Sequence, residues 1–134
     1  LALKRRFALD NATDEDVVSR VREFFARVQP ITILVGELTK PERMPVRVLP
    51  IRNDAELKAV HLDFVTFMGD ALHSRYPERD GANYLPHVTA EYDGKLVIDV
   101  EAYQNGEFTI STVCVIKDGE DGDSHVMAYV SVGA

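Results

Sequence analysis

A single cysteine, Cys114, occurs in the 134 residues. One cysteine excludes an internal disulfide and makes a cysteine-based metal cluster untenable. Cys114 sits in the apolar run TVCVI and is expected as a small core residue, a usage that fits a reducing cytoplasm. No apolar run approaches the roughly 20 residues that a membrane-spanning helix needs, so no membrane partner is expected. No basic segment leading into an apolar stretch marks a secretory signal. Cationic residues are also scarce: 15 Lys and Arg against 22 Asp and Glu give a formal net charge of −7. That balance argues against a surface that grips long duplex nucleic acid by counterion release. It leaves room for a small nucleotide, provided the cleft that holds it is locally basic.

What is present is ordinary for a globular domain, with 46% apolar and 28% charged residues. The length suits one domain with a real interior, and residues 1–134 are read as that domain. LALKRRFAL reads as an opening strand with a basic interruption. Thr13 caps a helix whose first turn carries Asp14, Glu15 and Asp16. Val17, Val18, Val21, Phe24, Phe25 and Val28 give it an apolar face, and Pro30 ends it. Ile31 to Leu38 and Val46 to Ile51 read as strands, and Asn53 and Asp54 as the cap of a second helix. That helix carries Leu57, Val60, Phe64, Met68 and Leu72 on one face and is expected to end near His73 to Tyr76. After the turn-rich loop PERDGAN, about four strands follow, separated by Asp93-Gly94, Asn105-Gly106 and an acidic loop. The expected class is α+β, with helices packed on mainly antiparallel sheet.

The stretch with chemical content is YLPHVTAEY, residues 84 to 92. If it is a strand, His87, Thr89 and Glu91 share one face with Leu85, while Pro86, Val88, Ala90 and Tyr92 share the other. A histidine titrates near neutrality and can take or give a proton, and a hydroxyl two residues on can bind a phosphate oxygen. The wider string Tyr84-x-Pro86-His87-Val88-Thr89 followed by Tyr92, after a long helix and before a β-rich end, resembles the second signature of the two-histidine (2H) phosphoesterases. These include 2′-5′ RNA ligase-like proteins, cyclic nucleotide phosphodiesterases and phage enzymes that degrade cyclic oligonucleotides. The order of elements from Thr13 to Thr89 is similar to theirs as well.

The resemblance implies a two-lobed fold in which each lobe gives one H-x-T or H-x-S motif to a central groove. It implies metal-independent cleavage of a phosphodiester in a small nucleotide or RNA end, such as a 2′,3′-cyclic phosphate or a cyclic oligonucleotide. No cofactor and a monomeric state are expected. His87 and Thr89 are the catalytic candidates. The chain departs from the family at one point: no histidine precedes His61. The resemblance therefore puts the first motif, with the family's leading strand and helix, upstream of Leu1. Without that motif the domain would be an inactive nucleotide- or RNA-end-binding module. A protein-interaction domain with no small-molecule site is the third reading.

Other residues carry alternatives. Tyr84 and Tyr92 flank the motif and are candidates to stack on a base, against core packing for at least one of them. Lys4, Arg5 and Arg6 form the basic cluster and either bind phosphate or face solvent. His61 lies on an apolar helix stripe and reads as a buried, hydrogen-bonded residue. His73 reads as a cation near a helix C-terminus. His125 is the in-chain candidate to replace the missing partner of His87. Asp118, Glu120, Asp121 and Asp123 lack the calcium-loop spacing and read as a hairpin loop.

Overall fold

The computed structural model describes residues 1–119 and 123–133. Strand β1 is Phe7–Leu9, followed by helix α1, Asp14–Phe25. The helix starts where the sequence dictates: Thr13 Oγ1 accepts from the Asp16 N–H, and the Asp16 carboxylate accepts from the Thr13 N–H. Strands β2, Ile31–Leu34, and β3, Val48–Pro50, lead to helix α2, Ala55–Met68. Strand β4 is Leu72–Ser74, β5 is His87–Thr89, and β6, Glu91–Tyr92, pairs with β7, Lys95–Leu96. A short helix α3, Val100–Tyr103, precedes β8, Glu107–Ile110, β9, Thr112–Asp118, and β10, Ser124–Ser131.

All strand pairs among the described residues are antiparallel: β1 with β4, β2 with β8, β3 with β5, β6 with β7, and β9 with β10. Together with the helices this makes the α+β class. A bridge between Val35 and Ile51, with Gly36 N–H donating to the Pro50 carbonyl and Arg52 N–H to that of Leu34, carries the pairing from β2 across to β3. The strand bearing His87 is thus tied to the middle of the molecule through β3. The core lies between this sheet and the two long helices. Phe24, Phe25, Phe64, Ile31, Ile33, Val35, Leu49, Ile51, Leu57 and Met68 are buried there. The ring of Phe24 meets those of Phe25 and Phe64 edge-on, at 5.0 and 5.3 Å.

Several expectations need correction. The opening strand is only Phe7–Leu9; before it, Ala2, Leu3 and Lys4 are tied to Tyr84, His61 and Asp80 through side chains rather than by a ladder. Helix α2 stops at Met68, where Gly69 adopts φ 65°, and His73 falls in β4, with Nε2 2.8 Å from Asp10. Asp54 precedes α2 without a capping hydrogen bond and pairs instead with Lys58; Asn53 binds the backbone of Leu34 and Thr32. Cys114 is exposed, since alternation along β9 sends Val113 and Val115 inward. Strands β9 and β10 form the hairpin expected around the acidic loop, with Gly119 N–H bonded to the Asp123 carbonyl; Glu120 and Asp121 lie outside the described residues. No helix among the described residues is long and apolar enough to cross a membrane.

Candidate functional site

His87 opens β5 directly after Pro86, which is fully buried and fixes the chain's entry into the strand. Its Cα partner across the ladder is Pro50 of β3. The ring is half-buried, and Nδ1 lies 2.7 Å from the Leu85 carbonyl. A carbonyl only accepts, so in the neutral ring Nδ1 carries the proton and Nε2 keeps its lone pair. Burial lowers the pKa of His87 from its ordinary value, opposed by the Leu85 hydrogen bond and aided by the positive charges of Arg5 and Arg79. The result is an imidazole that stays basic-side neutral to lower pH than a free histidine.

The cleft beside His87 is lined by Ala2, Arg5, Met44, His61, Arg79, Asp80, Asn83, Tyr84 and Leu85. Its space is about 30 Å³, room for a water or a phosphate oxygen but not for a base. Any larger ligand lies across the rim. A roomier concavity of about 310 Å³ opens elsewhere, beside Asp10, Asp16, Ser19 and Arg20. There Asp10 is paired with His73, Asp16 caps α1, and Arg20 donates to the Phe67 carbonyl, so those groups are already engaged.

Three ties bring the start of the chain to this cleft. His61, 1% exposed, lies with Nδ1 2.8 Å from the Leu3 carbonyl, while its Nε2 accepts from the Gly81 N–H. The Tyr84 hydroxyl donates to the Ala2 carbonyl at 2.8 Å, and its ring stacks on that of His61 at 4.2 Å. Lys4, with a side chain 3% exposed, binds Asp80 at 2.9 Å, and the second oxygen of Asp80 accepts from the Ser74 hydroxyl. These bonds leave Arg5 facing the cleft, its guanidinium 5.2 Å from the centre of the Tyr76 ring.

The sequence-derived candidates are therefore only partly gathered. His87 and Arg5 share the cleft. Thr89 is half-buried opposite Val48 and is not among the residues lining the cleft. Tyr84 is at the cleft but 7% exposed and packed on His61; burial pushes its hydroxyl pKa up, and it holds the structure together rather than offering a free face for a base. Tyr92, 61% exposed, stands on the β6–β7 hairpin and does not line the cleft. Lys4 is taken by Asp80 and Arg6 by Asp118, so the basic cluster splits three ways. His125, on β10 opposite Lys117, does not line the cleft either. Glu91, on the face predicted for His87, is held by the Arg47 side chain and backbone N–H, which keep its carboxyl below the usual range.

Arg79, Asp80 and Asn83 are among the cleft residues that the sequence did not flag. They sit in PERDGAN, where short 3-10 turns at Pro77–Arg79 and Gly81–Asn83 fold the loop toward His87. Nothing periodic in the sequence marks such a loop; the one signal is a basic residue within reach of the histidine. Among the described residues no group of three or more His, Cys, Asp or Glu is placed to hold a metal ion. No protein-family model matches the chain, and no curated protein matches it.

Proposed function

We propose that this chain is a 2H-type phosphodiesterase domain, acting on a small nucleotide or RNA-end phosphodiester at the His87 cleft. The observation that carries the reading is the setting of His87: a half-buried imidazole with one nitrogen bonded to Leu85 and the other without a hydrogen-bond partner among the described residues, beside Arg5 and Arg79. The two arginines supply the locally positive charge that an anionic substrate needs on a chain of net charge −7. In this reading water attacks phosphorus, the phosphorus–oxygen bond to the leaving group breaks, and a guanidinium at the cleft edge stabilises charge on the phosphoryl oxygens. His87 Nε2 takes the proton of the attacking group or, once protonated, gives one to the leaving oxygen.

The second histidine of the pair belongs, in this reading, to a first motif upstream of Leu1, reaching the cleft by way of Ala2. The two-lobed 2H arrangement is part of the same proposal. The substrate class comprises 2′,3′-cyclic nucleotides and cyclic oligonucleotides, and both are tested. Incubation of the full-length protein with each, in chelator, gives turnover that His87→Ala abolishes. Turnover that survives the substitution overturns the assignment.

A second reading is favoured by one specific observation. His61, the other histidine lining the cleft, has both ring nitrogens engaged and is not free for proton transfer. If no upstream histidine reaches the cleft, the domain binds nucleotide or RNA ends without cleaving them. Binding of a cyclic nucleotide with no turnover, by the full-length protein, selects this reading.

A further inference from the structure

The cleft at His87 has more positive charge than a single phosphodiester requires. Its one lining carboxylate, Asp80, is already committed on both oxygens, to Lys4 and to Ser74. Arg5 and Arg79 are left facing His87 without a carboxylate partner among the described residues. Both are organised by one residue, Tyr76. Its ring lies under the Arg5 guanidinium at 5.2 Å, and its carbonyl accepts from the Arg79 backbone N–H at 2.9 Å. Arg75 shares the ring at 5.8 Å but does not line the cleft. Stacking occupies the face of a guanidinium and leaves its edge donors free for a phosphate.

A phosphodiester carries one negative charge. Placed at His87 with the imidazole neutral, it balances one guanidinium and leaves the other unmatched. The 30 Å³ cleft accepts little more than a phosphoryl oxygen, so a second anionic group would sit on the rim, where the arginines are. We propose that Arg5 and Arg79 together select ligands carrying a second phosphate in addition to the one at His87. The ligand class is a nucleotide with at least two phosphates, such as a terminally phosphorylated 2′,3′-cyclic nucleotide or a cyclic dinucleotide. This inference rests on the reading of the His87 cleft as a phosphate site.

Calorimetric titration of the full-length protein with adenosine 3′-monophosphate and adenosine 3′,5′-bisphosphate tests it. The bisphosphate binds tighter by about tenfold or more, the scale of one charge-assisted contact. Arg5→Ala and Arg79→Ala each reduce that advantage to about threefold or less, and Arg79→Lys leaves an intermediate one because it keeps the charge without the fork. Arg52→Ala, an exposed arginine away from the cleft, leaves the advantage intact. Unchanged melting temperatures exclude misfolding as the cause. Equal affinity for the two nucleotides, an advantage that survives both alanine substitutions, or binding of neither nucleotide overturns the proposal. Cleavage of a 2′,3′-cyclic nucleotide without any bisphosphate advantage overturns this inference alone and leaves the phosphodiesterase reading standing. A bisphosphate advantage without cleavage supports it and removes only the enzymatic step.

Discussion

His87 and His61 line the same cleft, yet their environments give them opposite roles. His87 commits one nitrogen to Leu85 and keeps the other; His61 has a backbone partner on each side and is almost fully buried. For His87, burial and its cationic neighbours lower the pKa from the ordinary value of 6.5. In the proposed reaction a general-base His87 works in its neutral form, which places the acid limb of kcat/KM below pH 6.5. Arg79→Ala removes one of the cations and shifts that limb upward, which a pH–rate profile of the two proteins measures. Stability follows the same sign. The unfolded chain takes up the proton more readily, so the contribution of neutral His87 is fully present above pH 6.5 and lost as pH falls toward the lowered folded value. His61→Ala leaves the Leu3 carbonyl and the Gly81 N–H without their partner and opens space beneath Tyr84. Chemical denaturation is expected to show a loss of about 2–5 kcal/mol. At this scale the buried, hydrogen-bonded nature of His61 was legible in the sequence. The sequence did not place Tyr84 or Lys4, because an aromatic and a cation each read as free until a partner far along the chain is known. Tyr84 binds Ala2 and Lys4 binds Asp80, and no local pattern carries those pairings.

Among the elements, the pairing from β2 to β3 to β5 fixes where His87 points its backbone. Gly36 is the tight spot in that path. A Cβ there would stand 2.9 Å from Pro50 Cγ and 3.3 Å from the Pro50 carbonyl, and Pro50 is the ladder partner of His87. Gly36→Ala must displace Pro50, so the expected outcome is a cost of about 1–3 kcal/mol in stability together with a changed His87 imidazole signal in NMR spectra. A substitution without effect on either would show that the strand path tolerates the shift. The helices were the legible elements. The Thr13–Asp16 capping box and the apolar spacing of α1 and α2 act over a few residues, and sequence exposes such signals directly. Strand β4 was not legible, since its three residues are strand only by virtue of pairing with β1, more than sixty positions away in chain order. The burial of Cys114 was misread for a related reason. TVCVI is apolar on both faces, so composition cannot say which face of β9 turns inward.

At the scale of the whole molecule, charge and cleft run in opposite directions. The chain carries a formal net charge of −7, and the cleft at His87 is edged by Arg5 and Arg79. A small anion finds a local attractive site there, while a long polyanion meets a repulsive surface beyond it. Affinity for a phosphorylated mononucleotide should fall on raising salt with a shallow slope, as few contacts would predict, and a titration at several salt concentrations measures it. The overall α+β class was legible from the order of helical and strand patterns. The cleft was not, because it is assembled from four separated segments: residues 2–5, Met44, His61 and the stretch from Arg79 to His87.

The central claim is that Nε2 of His87 moves the proton in phosphodiester cleavage. The most direct measurement follows a 2′,3′-cyclic nucleotide by phosphorus NMR, with the full-length protein and its His87→Ala variant at equal concentration in chelator. The account predicts conversion of the cyclic phosphate to a single monoester by the unsubstituted protein, slowed about a hundredfold or more in the variant. No conversion by the unsubstituted protein, or equal conversion by both, would contradict it.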